Sequence, residues 1–95
     1  MILIPLLSGH ENSHQRFSIQ LGDNLLDFRL DWIYYYRFWS MSISVEGVNR
    51  LSGGVLSAGT VVNRHVIDLG VLTFEGSDAT LNNLGKDNKL IWSPE

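Results

Sequence analysis

Several residue types that carry chemistry or covalent stability are scarce or absent in this sequence. The 95 residues include no cysteine, which excludes disulfides, thiolate metal sites and a cysteine nucleophile. Lysine and arginine number 7 against 10 acidic residues, and a net charge of −3 argues against binding nucleic acid through its phosphates. A chain this short buries only roughly 60–65 % of its unfolded surface, so contacts with partners or copies of itself would add stability.

The hydrophobic runs are too short for a targeting or membrane-spanning segment. Residues 1–7 are apolar, but no basic residue precedes them and Pro5 interrupts them. A secretory signal needs roughly 7–15 apolar residues after positive charge, and a membrane span needs about 20. The chain also has no linker, repeat or low-complexity tract. We therefore expect a single soluble domain over residues 1–95, made in the cytoplasm and without a membrane partner.

Apolar and polar residues alternate in three stretches of the first half, at 15–21, 26–32 and 39–45. Successive side chains of a strand point to opposite faces, so this period of two predicts three antiparallel strands, each with one core face. Residues 22–24 and 46–49 supply turn residues after the first and third strands. The predicted core consists of Phe17, Ile19, Leu21, Leu26, Phe28, Leu30, Trp32, Trp39, Met41, Ile43, Leu72, Phe74, Leu84 and Leu90.

The second half is less regular, and glycines at 53, 54 and 59 indicate a bulged or bent segment there. Residues 79–84 could form one or two helical turns, capped by Ser77 or Asp78 and ended by Gly85. We predict an all-β fold, a small antiparallel barrel or sandwich of six to seven short strands with one short helix near residues 79–84. Extended chain is expected in this half at residues 50–59, 60–62, 66–67, 71–74 and 90–92.

The segment His10-Glu11-Asn12-Ser13-His14 matches H-E-x-x-H, the pattern of zinc proteases. That pattern binds zinc only where a helix brings both histidines to one face. Here a glycine precedes the segment and a predicted strand follows it, so we interpret it as a polar loop. We predict no catalytic residue, no metal and no cofactor. A metal-dependent hydrolase using His10, Glu11 and His14 stays open as an alternative, with His65 as a conceivable third ligand.

Aromatic residues are concentrated in one place, since six of the ten lie between residues 32 and 39. Alternation assigns Trp32 and Trp39 to the core, which leaves three tyrosines and an arginine at the tip of a predicted hairpin. Local packing, a protein–protein contact, and a stacking platform for a glycan or single-stranded nucleic acid are all open for this tip. Its candidate partner-binding residues are Tyr34, Tyr35, Tyr36 and Arg37.

The apolar N-terminal segment is a second candidate contact surface. Residues 2–7 are apolar and strand-prone, and pairing with a neighbour removes the aggregation hazard of an exposed edge strand. The same residues could equally form the first strand of the core. We include Ile2, Leu3 and Ile4 among the candidate partner-binding residues.

Several short motifs follow one another along residues 2–92. They are Ile4-Pro5-Leu6, Phe17-Ser18-Ile19-Gln20-Leu21-Gly22, Arg29-Leu30-Asp31-Trp32, Trp39 ahead of Ile43-Ser44, the glycine-containing residues 51–59, Asp68-Leu69-Gly70-Val71-Leu72, residues 79–87 and Leu90-Ile91-Trp92. In this order and spacing the chain resembles the small plug proteins of contractile-tail phage baseplates of the cyanophage type. Residues 59–62 depart from that family, which usually has an acidic residue and paired leucines there.

The resemblance implies a non-enzymatic structural protein of the virion, made in the host cytoplasm and located in the tail-tube lumen or hub region of the baseplate. Such a protein would contact the hub and spike proteins, form a homo-oligomer within the tail and help to close the tube before contraction. The resemblance implies no cofactor and no specific nucleic-acid partner.

Overall fold

The computed structural model describes residues 1–63 and 68–94, and the regular secondary structure in this part of the chain is almost entirely strand. A single short 3-10 turn occupies His10–Asn12. The predicted all-β fold is confirmed, as an open sandwich rather than a closed barrel. The strands are β1 (Ile2–Ile4), β2 (His14–Leu21), β3 (Asn24–Ile33), β4 (Phe38–Val45), β5 (Val48–Val55), β6 (Thr60–Val61), β7 (Val71–Gly76) and β8 (Asn88–Ser93).

The strands form two antiparallel sheets of four. Sheet 1 has the order β2-β3-β4-β5, in which each strand pairs with its neighbour in sequence. Sheet 2 has the order β1-β8-β7-β6, so it joins a strand near the start of the chain to the last one. Eight described strands exceed the six to seven predicted, because β1 and the two-residue β6 are too short for periodicity to identify.

The three strands predicted from alternation are confirmed as β2, β3 and β4, with ends that differ by at most two residues. Their register places core residues opposite one another, as in Phe17 opposite Phe28 and Leu30 opposite Met41. The predicted turn after β4 contains Glu46 and Gly47 with positive φ angles of 51° and 78°, as in the two-residue turns that suit twisted hairpins.

The core lies between the two sheets. Of the predicted core residues, Phe17 and Ile19 are only half-buried and pack against its margin, whereas the others are buried. Phe17 and Ile19 lie on β2, an edge strand, so one side of each remains open. The core also contains four apolar residues that were not predicted, namely Ile4, Leu56, Leu69 and Trp92.

The predicted helix near residues 79–84 is wrong, because this segment consists of irregular chain and turns. The side chain of Asn83 accepts a hydrogen bond from the Thr80 N–H at 2.6 Å and donates one to the Asp78 carbonyl at 3.0 Å. Asparagine thereby satisfies backbone groups that a helix would have paired. Gly85 has the positive φ expected of it (80°), but it closes a turn against the Leu6 carbonyl.

The glycine-containing segment after β4 is extended but irregular, as predicted. β5 pairs with β4 through register shifts between Met41 and Ser44. The predicted extended residues 66–67 lie outside the described part of the chain. No helix in residues 1–63 and 68–94 is long and apolar enough to span a membrane.

Candidate partner-binding surfaces

The aromatic tip, defined as residues 34–37, is the turn that joins β3 to β4, as predicted. The Arg37 N–H donates to the Ile33 carbonyl at 2.7 Å and closes the turn, and Arg37 itself has a positive φ of 57°. The tip is solvent-exposed, with Tyr34 at 51 %, Tyr35 at 86 % and Tyr36 at 72 % exposure. Local packing therefore accounts for only part of this cluster.

The base of the tip is fixed by two buried tryptophans. Trp32 and Trp39 face each other across β3 and β4 with ring centroids 5.6 Å apart, and the Trp39 indole N–H donates to the Thr80 carbonyl at 2.9 Å. Tyr34 packs edge-on against Trp32, and its hydroxyl lies 2.7 Å from the His10 Nδ1. Tyr34 is thus held in place by the fold.

Tyr35 and Tyr36 project beyond this base. Their rings are 4.8 Å apart at an interplanar angle of 79°, and Tyr36 also lies 6.5 Å from Phe38. Two nearly perpendicular rings do not present one flat surface on which a base or sugar ring could stack. They form instead a compact projection that fits a pocket, which is how tyrosine typically contributes at protein–protein interfaces.

The H-E-x-x-H segment does not have the geometry of a zinc protease. His10 and Glu11 belong to the 3-10 turn, and His14 is the first residue of β2. The His14 Nδ1 lies 2.7 Å from the Asp31 carboxylate, whereas His10 contacts Tyr34. No three histidine, aspartate or glutamate side chains come together as a metal site within residues 1–63 and 68–94. His65 lies outside these ranges.

The N-terminal candidate residues form β1, an edge strand of sheet 2 that pairs with β8. Ile4 is 2 % exposed and belongs to the core, whereas Ile2 is 36 % exposed and Leu3 63 % exposed. The core interpretation is confirmed for Ile4, and the partner-binding role of the exposed Ile2 and Leu3 stays a prediction.

The outer face of sheet 1 is polar. The Arg29 Nε donates to the Asp31 carboxylate at 3.0 Å, and the same carboxylate faces His14 on β2. Ser18 donates to Asp27 across the same two strands. Two of these contacts join β2 to β3, whereas the arginine pairs along its own strand. These contacts are those of a solvated sheet face.

Gln15 positions the segment after β1, a role that was not predicted. Its side chain is bonded to both the N–H (3.1 Å) and the carbonyl (2.8 Å) of Leu7, and its amide also donates to the Asn12 carbonyl. Gln15 has the same parity as Phe17 in the alternating pattern, which places this polar side chain on the inward face. The inward orientation of Gln15 could therefore have been predicted from its position in the alternating pattern.

The whole chain, residues 1–95, matches the model of a protein family described as the cyanophage baseplate Pam3 plug gp18. The chain belongs to this family. No curated protein matches the chain. Membership assigns it a structural role in the phage baseplate, a location in the virion and association with other baseplate components.

A baseplate plug protein needs surfaces that other baseplate components can contact. The aromatic tip (residues 34–37) and the β1 edge (residues 2–4) stay the predicted candidates, since each combines exposed apolar groups with a fixed backbone.

Proposed function

We propose that this protein is a non-enzymatic plug subunit, which closes the tail tube at the hub region of a contractile-tail baseplate before contraction. It acts as one of several copies within the tail and binds hub and spike proteins. The match of residues 1–95 to the baseplate plug family carries this proposal.

The fold supports the proposal through its rigidity. A plug that blocks a tube should keep its shape when partners press on it. Two sheets packed on a continuous core, with the tryptophans of β3 and β4 fixing the base of the aromatic tip, provide such a body.

The aromatic tip and β1 supply the contacts. Tyr35 and Tyr36 are the anchors, and Tyr34 and Arg37 frame them on a hairpin whose turn is closed by a main-chain hydrogen bond. Rigid aromatic groups lose little conformational entropy on binding, and tyrosine and arginine are enriched among the residues that dominate interface energies. Ile2 and Leu3 on β1 form the second contact, and the buried Ile4 anchors this strand to the core.

Co-expression with the hub protein of the same phage tests the proposal. The wild-type chain should co-purify with the hub protein, and the double variant Tyr35→Ala/Tyr36→Ala should bind it about 30-fold or more weakly, since buried aromatic anchors each contribute 1–2 kcal/mol or more. Leu25→Ala is the matched control, because Leu25 is also exposed, at 52 %, but lies at the end of β3 remote from the tip.

Two results would contradict the proposal. One is failure of the wild-type chain to bind any baseplate component of its own phage. The other is retention on a glycan array that Tyr35→Ala abolishes, which would indicate a glycan-binding module instead. A cryo-EM map of the native particle should show the eight-stranded sandwich inside the tube or hub.

A further inference from the structure

The two sheets of a sandwich have four edge strands, and exposed edges invite pairing unless they are protected. Each of the four has a protective feature, but the features differ in kind. β2 has His14 and Arg16 along its length, β5 is broken by register shifts against β4, and β6 is only two residues long. Charges, bulges and shortness are the usual means of blocking strand addition.

β1 is short as well, but it has neither a charge nor a bulge. Residues 1–7 contain no charged side chain, and β1 pairs in regular register with β8. Its central residue, Leu3, is 63 % exposed although it lies within a strand. Leu3 therefore offers an apolar side chain beside the open edge of sheet 2.

The register also fixes which main-chain groups of β1 face outward. Residues of an antiparallel ladder alternate between pairs that exchange hydrogen bonds and pairs that do not. Pro5 has no N–H, so the ladder ends with Ile4 bonded to Leu90, and the bonded pairs fall on Ile2 and Ile4. The N–H and C=O of Leu3 consequently point away from β8, toward solvent.

A groove beside β1 adds positive charge to this edge. Its lining includes Leu3, Pro5, Lys86 and Lys89 and contains no acidic side chain. Both lysines also line an adjoining groove with Glu75 and Asp87, but neither forms an ion pair within the described ranges, even though Lys89 lies opposite Glu75 in the register. A partner segment that follows the edge past Pro5 would meet two unpaired ammonium groups.

We propose that β1 binds an extended segment of another baseplate protein, which adds as a fifth strand to sheet 2. The segment exchanges main-chain hydrogen bonds with Leu3, places an apolar side chain beside it, and presents a carboxylate to Lys86 and Lys89. This inference rests on the proposed baseplate role and adds to it the mode of binding and the chemistry of the partner.

A second copy of this chain fits the β1 edge less well than a segment of a different protein does. Two facing β1 strands overlap over only about 10 Å, which buries far less than the roughly 1,000 Å² of a stable interface. Residues 1–7 also contain no carboxylate for the two lysines. A longer acidic segment from a different protein supplies the carboxylate and extends beyond β1 along the groove lined by Leu3, Pro5, Lys86 and Lys89.

The test compares two substitutions at one position in binding to the hub and spike proteins of the same phage. Leu3→Pro removes the outward N–H, and a sheet edge tolerates proline where the N–H faces solvent. Leu3→Ala removes the side chain but keeps the N–H. We expect Leu3→Pro to weaken binding about tenfold and Leu3→Ala to weaken it less.

Charge reversal provides a second arm that does not touch the strand. Lys86→Glu/Lys89→Glu should weaken binding about tenfold, and the neutral pair Lys86→Gln/Lys89→Gln should have a smaller effect. Arg16→Glu, on the outer face of sheet 1, is the matched control and should bind as the wild type does. In the wild-type complex, amide exchange at Leu3 should slow at least tenfold.

The outcomes separate the two proposals. Normal binding by both Leu3→Pro and the charge-reversed variant, with unchanged exchange at Leu3, overturns strand addition and leaves the baseplate role intact. Absence of binding by the wild-type chain to every baseplate protein overturns both. If Leu3→Pro does not fold, the amide exchange rate at Leu3 and the binding of the lysine variants decide whether strand addition occurs. Self-association through β1 in place of hub or spike binding also overturns the inference.

Discussion

Sheet 1 and sheet 2 are built in different ways from one chain. Sheet 1 uses the continuous segment from β2 to β5, and every strand pairs with the next. Sheet 2 brings β1 together with β8, across almost the full length of the sequence. Pairing between neighbours follows from local turns, whereas the pairing of β1 depends on the rest of the molecule having folded around it.

The outer faces of the two sheets also differ. Sheet 1 presents the charged group of His14, Arg29 and Asp31 to water. Sheet 2 presents a row of uncharged side chains across all four strands, from Leu3 on β1 through Ile91 and Thr73 to Val61. Sheet 1 is thus protected against chance association, while sheet 2 has an open edge at the same place as its uncharged row.

The space around the turn glycines also differs between the two sheets. In sheet 1, Gly47 lies in an open turn with nothing within 4 Å of where a side chain would begin. Beside sheet 2, a Cβ on Gly70 would lie 2.7 Å from the Ser93 carbonyl, and one on Gly76 would lie 2.5 Å from the Asp87 carbonyl. The turns at Gly70 and Gly76 are therefore fixed by tertiary packing, whereas the turn at Gly47 depends on backbone conformation alone.

Core substitutions should have the largest effect on stability. The effect should be similar in the two sheets, because both contribute to one core. Phe28→Ala in sheet 1 and Phe74→Ala in sheet 2 should each lower the free energy of unfolding by about 3–5 kcal/mol, through lost burial and a residual cavity. Phe17→Ala, at a half-buried edge position, is the control and should cost less. Urea denaturation measures all three. If each substitution destabilised only its own sheet, the two sheets would unfold independently.

Replacing a glycine should lower the unfolding free energy more at Gly70, beside sheet 2, than at Gly47, in sheet 1. Gly70→Ala should lower the unfolding free energy by about 2–5 kcal/mol, because it combines a positive φ with a collision against Ser93 and Trp92. Gly47→Ala meets the backbone strain alone and should cost about 1–2 kcal/mol. Thermal unfolding of the two variants provides the measurement. Equal losses would contradict the difference in packing.

Substitution of Asn88 tests how much the hydrogen bonds of its buried amide stabilise the turn before β8. Its Oδ1 accepts from the Gly85 N–H at 2.7 Å, and its Nδ2 donates to the Ser77 carbonyl at 3.2 Å. Asn88→Ala leaves both groups without that partner and should cost about 1–3 kcal/mol in unfolding free energy. Asn82→Ala, in the same loop but exposed, should change stability little. Indistinguishable denaturation midpoints would show that Asn88 is not needed.

The smallest effect is expected on the charged outer face of sheet 1. Asp31→Asn weakens the contacts with His14 and Arg29, whose side chains are 70 % and 54 % exposed. Exposed ion pairs contribute about 0–1 kcal/mol, so unfolding free energy should fall by no more than that. Raising the salt concentration should reduce even this difference. A loss as large as that of a core phenylalanine would show that this face is structural.

The strands of sheet 1 and the aromatic tip could be predicted because their signals are local. Alternation identifies β2, β3 and β4, and the four residues between Ile33 and Phe38 can only form a turn. The helix predicted at residues 79–84 was wrong because Asn83 bonds to nearby backbone groups in a way that the apolar pattern does not reveal. Leu3 was among the candidate partner-binding residues, but the outward direction of its main chain could not be predicted, since it depends on the register between β1 and β8.

The all-β class, the core faces of three strands, the position of the aromatic hairpin tip and the motif order that resembles the baseplate plug proteins could be predicted from the sequence. Each of these depends on residues close together in the chain. The tertiary structure was needed to show that the sandwich is open, that the tyrosines of the tip are exposed, that Trp92 and Ile4 complete the core, and that the main chain of Leu3 faces outward. Those features depend on pairing between distant segments, which local periodicity does not specify.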